Sequence, residues 1–484
     1  MSEGQRGPVP RLLLKQQDAV LLVVGSMVGS GVFLVSADIA RTLGSAGWLL
    51  VAWLIAGLVA VAGASCQGRL AALMPRMGGP YVYLRESLHP LAGFLYGWTL
   101  FSAIQTTAIA ALAVGCGAFA TALAPGLAEV AIRPGGRLID GPRLVAVSAI
   151  LLLTWVNARG LAGGLRVQRV LTLAKVGGLL LLILLLLALG WRTRAAGANL
   201  AACWTASRSH PGVEGAVTIQ ALSGLPLLAA LGAALGSALF CSELWCSLTL
   251  VAGEVERPRR NLPRALLQGT AAAALLFLLI NAAYLVALPL TGFESGADTA
   301  SRGIQFAAGD QVAAAAATAA LGPWTAPFIA ALALLAALGA CNGLILAGAR
   351  VPCAMARDGL FPRRAARLNG HGVPGAALWL QAGWACVLCL SGSYRGLLHY
   401  MVFALLAFHL LCAVGLLVLR RSRLARQPRS AETGAALPLA YILATGAIAL
   451  DLLVMQPRQI WPGLLLTLAG LPAYFLWKRA RSGH

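Results

Sequence analysis

Apolar runs long enough to cross a bilayer recur along the whole of this sequence, and no other feature constrains its fold as tightly. In hydrocarbon every backbone N–H and C=O must be satisfied inside the protein, so such runs become helices. About 20 apolar residues span the core. Twelve segments fit that measure, at about 18–42, 46–72, 92–123, 141–158, 167–191, 225–252, 266–291, 325–350, 375–392, 396–420, 437–454 and 460–477. Charged residues are only 11% of the 484 positions, against roughly 25% in an average soluble domain. The expectation is an all-α membrane protein with twelve transmembrane helices. The third run is long enough to tilt or to extend beyond the membrane. A short extra helix is expected at 309–320, outside the eighth span. The first nineteen residues hold Arg6, Arg11, Lys15 and Asp18 and no apolar core of a leader, so no cleavable signal peptide is expected.

The net charge of +21 invites a nucleic-acid reading, but its distribution points elsewhere. With an even number of spans both termini lie on one side. Of 37 cations, 26 fall in the termini and loops of that side, 10 in the opposite loops, and Lys175 in neither group. This asymmetry is the positive-inside pattern, with both termini cytoplasmic in a plasma (inner) membrane. The basic charge therefore reports topology, and anionic lipid head groups are its expected neighbours rather than nucleic acid. Ten cysteines lie mostly within spans, and six histidines are scattered, so neither a metal site nor a cofactor is expected. Cys386 and Cys389 have redox-motif spacing but sit in an apolar span, where packing is the better reading. No nucleophile–base pair or phosphate loop appears in a supporting context, which argues against an enzyme.

Two segments are poor continuous helices. Gly25-Ser-Met-Val-Gly29-Ser30-Gly31 places three glycines in seven residues of the first span, each roughly 1 kcal/mol worse than alanine in a helix. Close packing through Gly25 and Gly29 explains this spacing. So does an opened backbone whose N–H groups meet an anion. In the sixth span, Gly236 to Ser247 brings small and polar residues to mid-membrane, Glu243 among them. Glu243 reads either as a group facing a substrate or proton, or as the buried partner of a cation. Lys175, two turns into the fifth span, is costly there unless paired or able to snorkel. It reads as a charge held against carbonyls of a broken helix, as a proton carrier, or as a snorkelling surface residue.

Broken spans five helices apart suggest two inverted five-helix repeats meeting at a midplane site. The organisation expected is a cytoplasmic N-terminus (1–17), a first repeat (18–191), a second repeat (225–420), two further transmembrane helices (437–477) and a cytoplasmic C-terminus (478–484). Free N–H groups at one break and carbonyls at both suit a ligand carrying a carboxylate beside an ammonium group, an α-amino acid.

Several longer motifs carry a family resemblance. They are Gly25 to Phe33, Pro75-Arg-Met-Gly-Gly-Pro-Tyr-Val-Tyr83, Glu254-Val-Glu-Arg-Pro-Arg-Arg-Asn-Leu-Pro263, Asn342-Gly343, Arg350, and Met355-Ala-Arg-Asp-Gly-Leu-Phe-Pro362. Together they resemble the amino acid–polyamine–organocation (APC) superfamily, and within it bacterial relatives of the L-type amino acid transporters. The resemblance covers nearly the whole chain. It implies a LeuT-type fold and alternating-access transport, by a sodium-independent exchanger or uniporter. It places substrate contacts at Ser26, Gly29, Ser30 and Gly31, and at Phe240, Cys241, Ser242 and Glu243, with Phe240 as a gate. It matches Lys175 to a fifth-helix lysine that stands where sodium binds in sodium-coupled relatives, and Asn281 and Tyr284 to a seventh-helix pattern. Where relatives carry Tyr-Ala-Glu-Leu, this chain has Gln67-Gly68-Arg69-Leu70; Leu244, Cys246 and His399 are further departures. Two alternatives stand beside the exchanger: a proton-coupled or cationic amino-acid permease using Glu243 and Lys175, and a non-transporting amino-acid sensor. Some relatives pair with a single-span glycoprotein through a cysteine between the third and fourth spans. The loop at 124–140 has none, so no disulfide-linked heavy subunit is expected.

Overall fold

The computed structural model describes residues 14–132, 139–211, 217–392, 394–421, 434–455 and 457–482. Most of the expected cytoplasmic N-terminus, the centre of the 124–140 loop, Arg423, Arg426 and Arg429, the last two residues, and the side chain of His399 lie outside the described residues. Among those described, ten helices are long and apolar enough to cross a membrane. They run Ala46–Leu73, Pro90–Leu123, Gly141–Ala158, Leu161–Thr193, Gly224–Leu250, Pro258–Ala287, Pro323–Arg357, Tyr400–Arg420, Ala436–Met455 and Ile460–Arg479. They correspond to the expected second to eighth and tenth to twelfth segments. The ninth, Gly375–Ser391, is helical but has only 17 residues. The first is divided into Gln16–Met27, Ser30–Phe33 and Val35–Leu43. The short helix expected near 309–320 runs Val312–Leu321.

Two antiparallel ribbons correct the all-α expectation in detail: Ala131–Ile132 with Ile139–Asp140, and Ser207–Pro211 with Val217–Ala221. Both lie in loops, beyond the long apolar runs. The strand Val217-Thr-Ile-Gln-Ala221 alternates apolar and polar residues, a period of two that suits a ribbon and not a helix. The third span also departs from a regular helix, with a π-helical stretch at Leu100–Ile104.

Helix ends follow local chemistry. Ser45 caps the second span by accepting from the Trp48 N–H, and Asp140 caps the fourth by accepting from the Arg143 N–H. Gly44 ends the first span in the left-handed region (φ 55°), which favours glycine because it lacks Cβ. Val170, Leu173 and Leu184 of the fifth helix are each more than half exposed. Apolar side chains on the outside of a helical bundle are what a lipid-facing surface requires.

The second helix packs along the seventh, and the eighth against the third and fifth. The first half of the first span lies among the fifth, seventh and eighth. Loop contacts sort into two groups, as the alternation of spans demands. On one side the Leu14 N–H donates to the Glu254 carbonyl, Asp18 pairs with Arg169, and the Asn369 amide donates to the Ala158 carbonyl. On the other, the Gly47 N–H donates to the Cys203 carbonyl, Arg41 pairs with Asp310, and the Asn199 amide donates to the Leu285 and Leu288 carbonyls.

Candidate functional site

The helix that begins at Gln16 stops at Met27. Val28 (φ −76°, ψ 84°) turns the chain, the Gly29 N–H donating to the Met27 carbonyl, Gly29 (φ −106°, ψ −163°) is extended, and a 3₁₀ turn starts at Ser30. The first N–H groups of a new helix have no partner within it, so Ser30 and Gly31 present theirs at the break. A Cβ built on Gly29 would meet Leu112 of the third helix at 3.2 Å and Ala340 of the eighth at 3.3 Å. One built on Gly31 would lie 2.5 Å from Cys241 Sγ and 3.6 Å from the Phe240 ring. Glycine is therefore needed for close approach of the first span to the third, sixth and eighth.

The glycines thus serve packing and opening together. Gly25 abuts Gln168 and Thr172 of the fifth helix, and its carbonyl accepts from Lys175 Nζ at 2.5 Å. Lys175 is fully buried and also approaches the Ala336 carbonyl of the eighth helix at 3.4 Å. It does not snorkel. It bridges the end of the first helix to the eighth as a charge-assisted donor, and Gly339 leaves room for its head, since a Cβ there would lie 2.9 Å from Nζ. A polar network extends from this point. Asn342 links Asn157 of the fourth helix to Gln168 of the fifth, each at 2.8 Å, and Thr172 reaches the Leu21 carbonyl. The second half of the first span is held by the seventh helix: the Ser36 hydroxyl donates to Asn281 Oδ1 at 2.5 Å, and the Tyr284 hydroxyl reaches the Val32 carbonyl at 3.5 Å.

The sixth span is interrupted less than its composition suggests. Gly224–Ser242 is helical, Glu243–Cys246 tightens to a 3₁₀ turn, and Ser247–Leu250 is helical again. Three of its hydroxyls bond back along the chain, Ser242 to the Ala238 carbonyl, Ser247 to Leu244 and Thr249 to Cys246, while the Ser237 hydroxyl donates to Asp38 of the first span at 2.5 Å. The polar residues that read as a break are thus partly satisfied within the helix itself.

The structure brings Gly31, Phe240 and Cys241 together, and places Ser30 against Gly115 of the third helix. Ser26, fully buried, turns its hydroxyl to Gly343 of the eighth helix, where it has no hydrogen-bond partner. Glu243 has a buried imidazole partner, in the position its second reading gave to a cation. Its Oε2 lies 2.8 Å from Nδ1 of His409 on the tenth helix, both side chains buried. This partner was missed from sequence. The available signal was that two titratable side chains at membrane depth seek each other.

The loop motifs also meet. Arg350 holds Glu254 through two bonds of 3.1 and 3.2 Å in a buried pair. Asp358 accepts from the Tyr81 hydroxyl at 2.5 Å and from Arg85. Asp358 and burial together push the Tyr81 phenol above its usual range.

Residues 14–467 match the model of a family described as amino acid permease. The chain is similar to the mouse Asc-type amino acid transporter 1, 26% identical over 481 residues, covering 96% of this chain and 82% of that protein. It is similar to the mouse b(0,+)-type amino acid transporter 1, 25% identical over 467 residues, covering 95% and 86%. It is also similar to the human large neutral amino acids transporter small subunit 2, 26% identical over 462 residues, covering 94% and 78%.

Proposed function

The chain belongs to the amino acid permease family, within the APC superfamily, and on that premise we propose that it moves amino acids across a cell membrane by alternating access. It is a multi-pass secondary transporter and not an enzyme. The finer reading is a twelve-helix LeuT-type fold, with inverted repeats at 18–191 and 225–420, both termini cytoplasmic, and no disulfide-linked heavy subunit. Transport is sodium-independent, by exchange or uniport.

One observation carries the reading: the first helix opens at Val28–Gly29 while Gly31 lies against Phe240 and Cys241. In the proposed cycle the N–H groups of Ser30 and Gly31, with Ser26 and Gly29 beside them, hold the substrate carboxylate. Carbonyls near the break and around Cys241–Glu243 take its ammonium group, and Phe240 closes over it. Lys175 takes the place of a sodium ion by fixing the Gly25 carbonyl. Helices one, two, six and seven then rock against the rest.

The test is counterflow into proteoliposomes loaded with mixed amino acids, with and without sodium. Uptake of at least one labelled amino acid, unchanged by sodium, is expected. No uptake of any by folded protein would sink the reading and favour a sensor, if ligand binding persisted.

A further inference from the structure

The sixth helix turns a second group of polar residues away from Gly31. Glu243 Oε1, His409 Nε2, Trp245 Nε1, the Tyr441 hydroxyl and both amide atoms of Gln67 are buried without a hydrogen-bond partner. They converge. Glu243 and His409 are 2.8 Å apart, and the imidazole centroid lies 4.9 Å from that of Trp245. A Cβ at Gly63 of the second helix would lie 2.8 Å from the Tyr441 hydroxyl and 2.9 Å from the Trp245 ring. Gln67 follows one turn later on the same face, and Arg69 beyond it leads to the end of that helix.

Unmet buried polar groups are costly, and clusters of them are ordinarily satisfied by buried water. Here they surround a carboxylate–imidazole pair. The pair also joins helix six to helix ten. In the proposed cycle these belong to bodies that move past one another.

We propose that Glu243 and His409 form a proton-binding site whose occupancy gates the transport cycle, a proposal that rests on the transporter reading for its second half. With one proton the pair is neutral overall, and it can part as a carboxylic acid and a neutral imidazole. When that proton leaves, a carboxylate remains beside a neutral imidazole. Separating that pair strands a charge in low dielectric, which is far costlier. The proton moves between water and the Oε2–Nδ1 pair, and no other bond is made or broken. The neighbouring titratable groups are Cys66 and Arg69 on helix two, Cys246 on helix six, Cys412 on helix ten and Tyr441 on helix eleven, with Tyr83 and Tyr96 near Cys412. The first and seventh helices, which also pack on this turn, carry their charges near their ends, at Asp18, Asp38 and Arg41, and at Arg259, Arg260 and Arg264.

The test is pH-difference infrared spectroscopy of the full chain in proteoliposomes, beside counterflow at equal internal and external pH. Between about pH 5 and about pH 9, a carboxylic C=O stretch titrates in the wild type, disappears in Glu243→Gln and moves its midpoint in His409→Gln. Exchange falls severalfold as pH rises through that midpoint, and Glu243→Gln flattens the profile. Carbon-13 labelling of glutamate assigns the wild-type band, so the test does not depend on either variant folding. If no glutamate band titrates in the wild type, the proton site is overturned, whatever the exchange assay shows. A titrating band with exchange indifferent to pH overturns the gating. A titrating band without exchange of any amino acid leaves the proton site standing and removes the transporter reading.

Discussion

Lys175 shows how little a single residue can be read without its partners. From sequence it is a cation too deep to be comfortable; in the structure it is the donor that closes the carbonyl end of an interrupted helix. Lys175→Met keeps the length and removes the charge. For stability, removing the desolvated amine and losing its hydrogen bond to the Gly25 carbonyl oppose one another. We therefore expect counterflow at least roughly tenfold slower, with the thermal midpoint moved little. A Met variant that exchanges at the wild-type rate would remove Lys175 from the mechanism. Gly31 is the second such residue. Gly31→Ala places a methyl against Cys241 Sγ and is expected to raise KM for exchange, because it distorts the N–H groups of the turn. Cys241→Ala in the same chain removes the colliding sulfur and should restore much of the loss. Failure of that rescue would mean that the strain lies in the backbone and not in the contact.

Elements differed sharply in how far sequence announced them. The interruption of the first helix was legible because three glycines in seven residues make a poor helix, and the apolar lengths placed the remaining helices, although the seventh begins at Pro258 rather than 266 and the eighth runs on to Arg357 rather than 350. The sixth was read as more open than it is. Ser242, Ser247 and Thr249 have carbonyl acceptors three and four residues back, which no spacing rule distinguishes from a true break. His409 and the hold of Arg350 on Glu254 join residues 166 and 96 positions apart, and only the packed fold places them together. The Arg350 pair makes a prediction for the elements it ties, the exit of helix eight and the loop after helix six. Arg350→Met alone leaves Glu254 buried and unpaired, and should cost about 3–5 kcal/mol. Arg350→Met with Glu254→Gln should recover most of that, measured as thermal midpoints in detergent. If the double variant is no more stable than the single, the ion pair is not what joins these elements.

For the whole molecule, the distribution of charge carries more information than its total. Among the described residues, the loop contacts Leu14–Glu254, Asp18–Arg169, Asn369–Ala158, Gly47–Cys203, Arg41–Asp310 and Asn199–Leu285 each join segments expected on one face. The cation asymmetry predicts which face is cytoplasmic. Anionic lipid on the cytoplasmic leaflet attracts juxtamembrane cations, at about 1 kcal/mol each, and 26 of 37 cations lie on the face of the termini. Two exposed positions test that orientation. Glu294, between helices seven and eight, belongs to the poorer face; Arg363, beyond the exit of helix eight, belongs to the richer one. In a Cys203→Ser background, which removes a cysteine outside the spans, Glu294→Cys should react with a membrane-impermeant maleimide on intact cells. Arg363→Cys should react only after the membrane is permeabilised. The reverse pattern would invert the molecule. Labelling of both from outside would mean that an even number of crossings separates residues 294 and 363, and that the helix from Pro323 to Arg357 does not span the membrane.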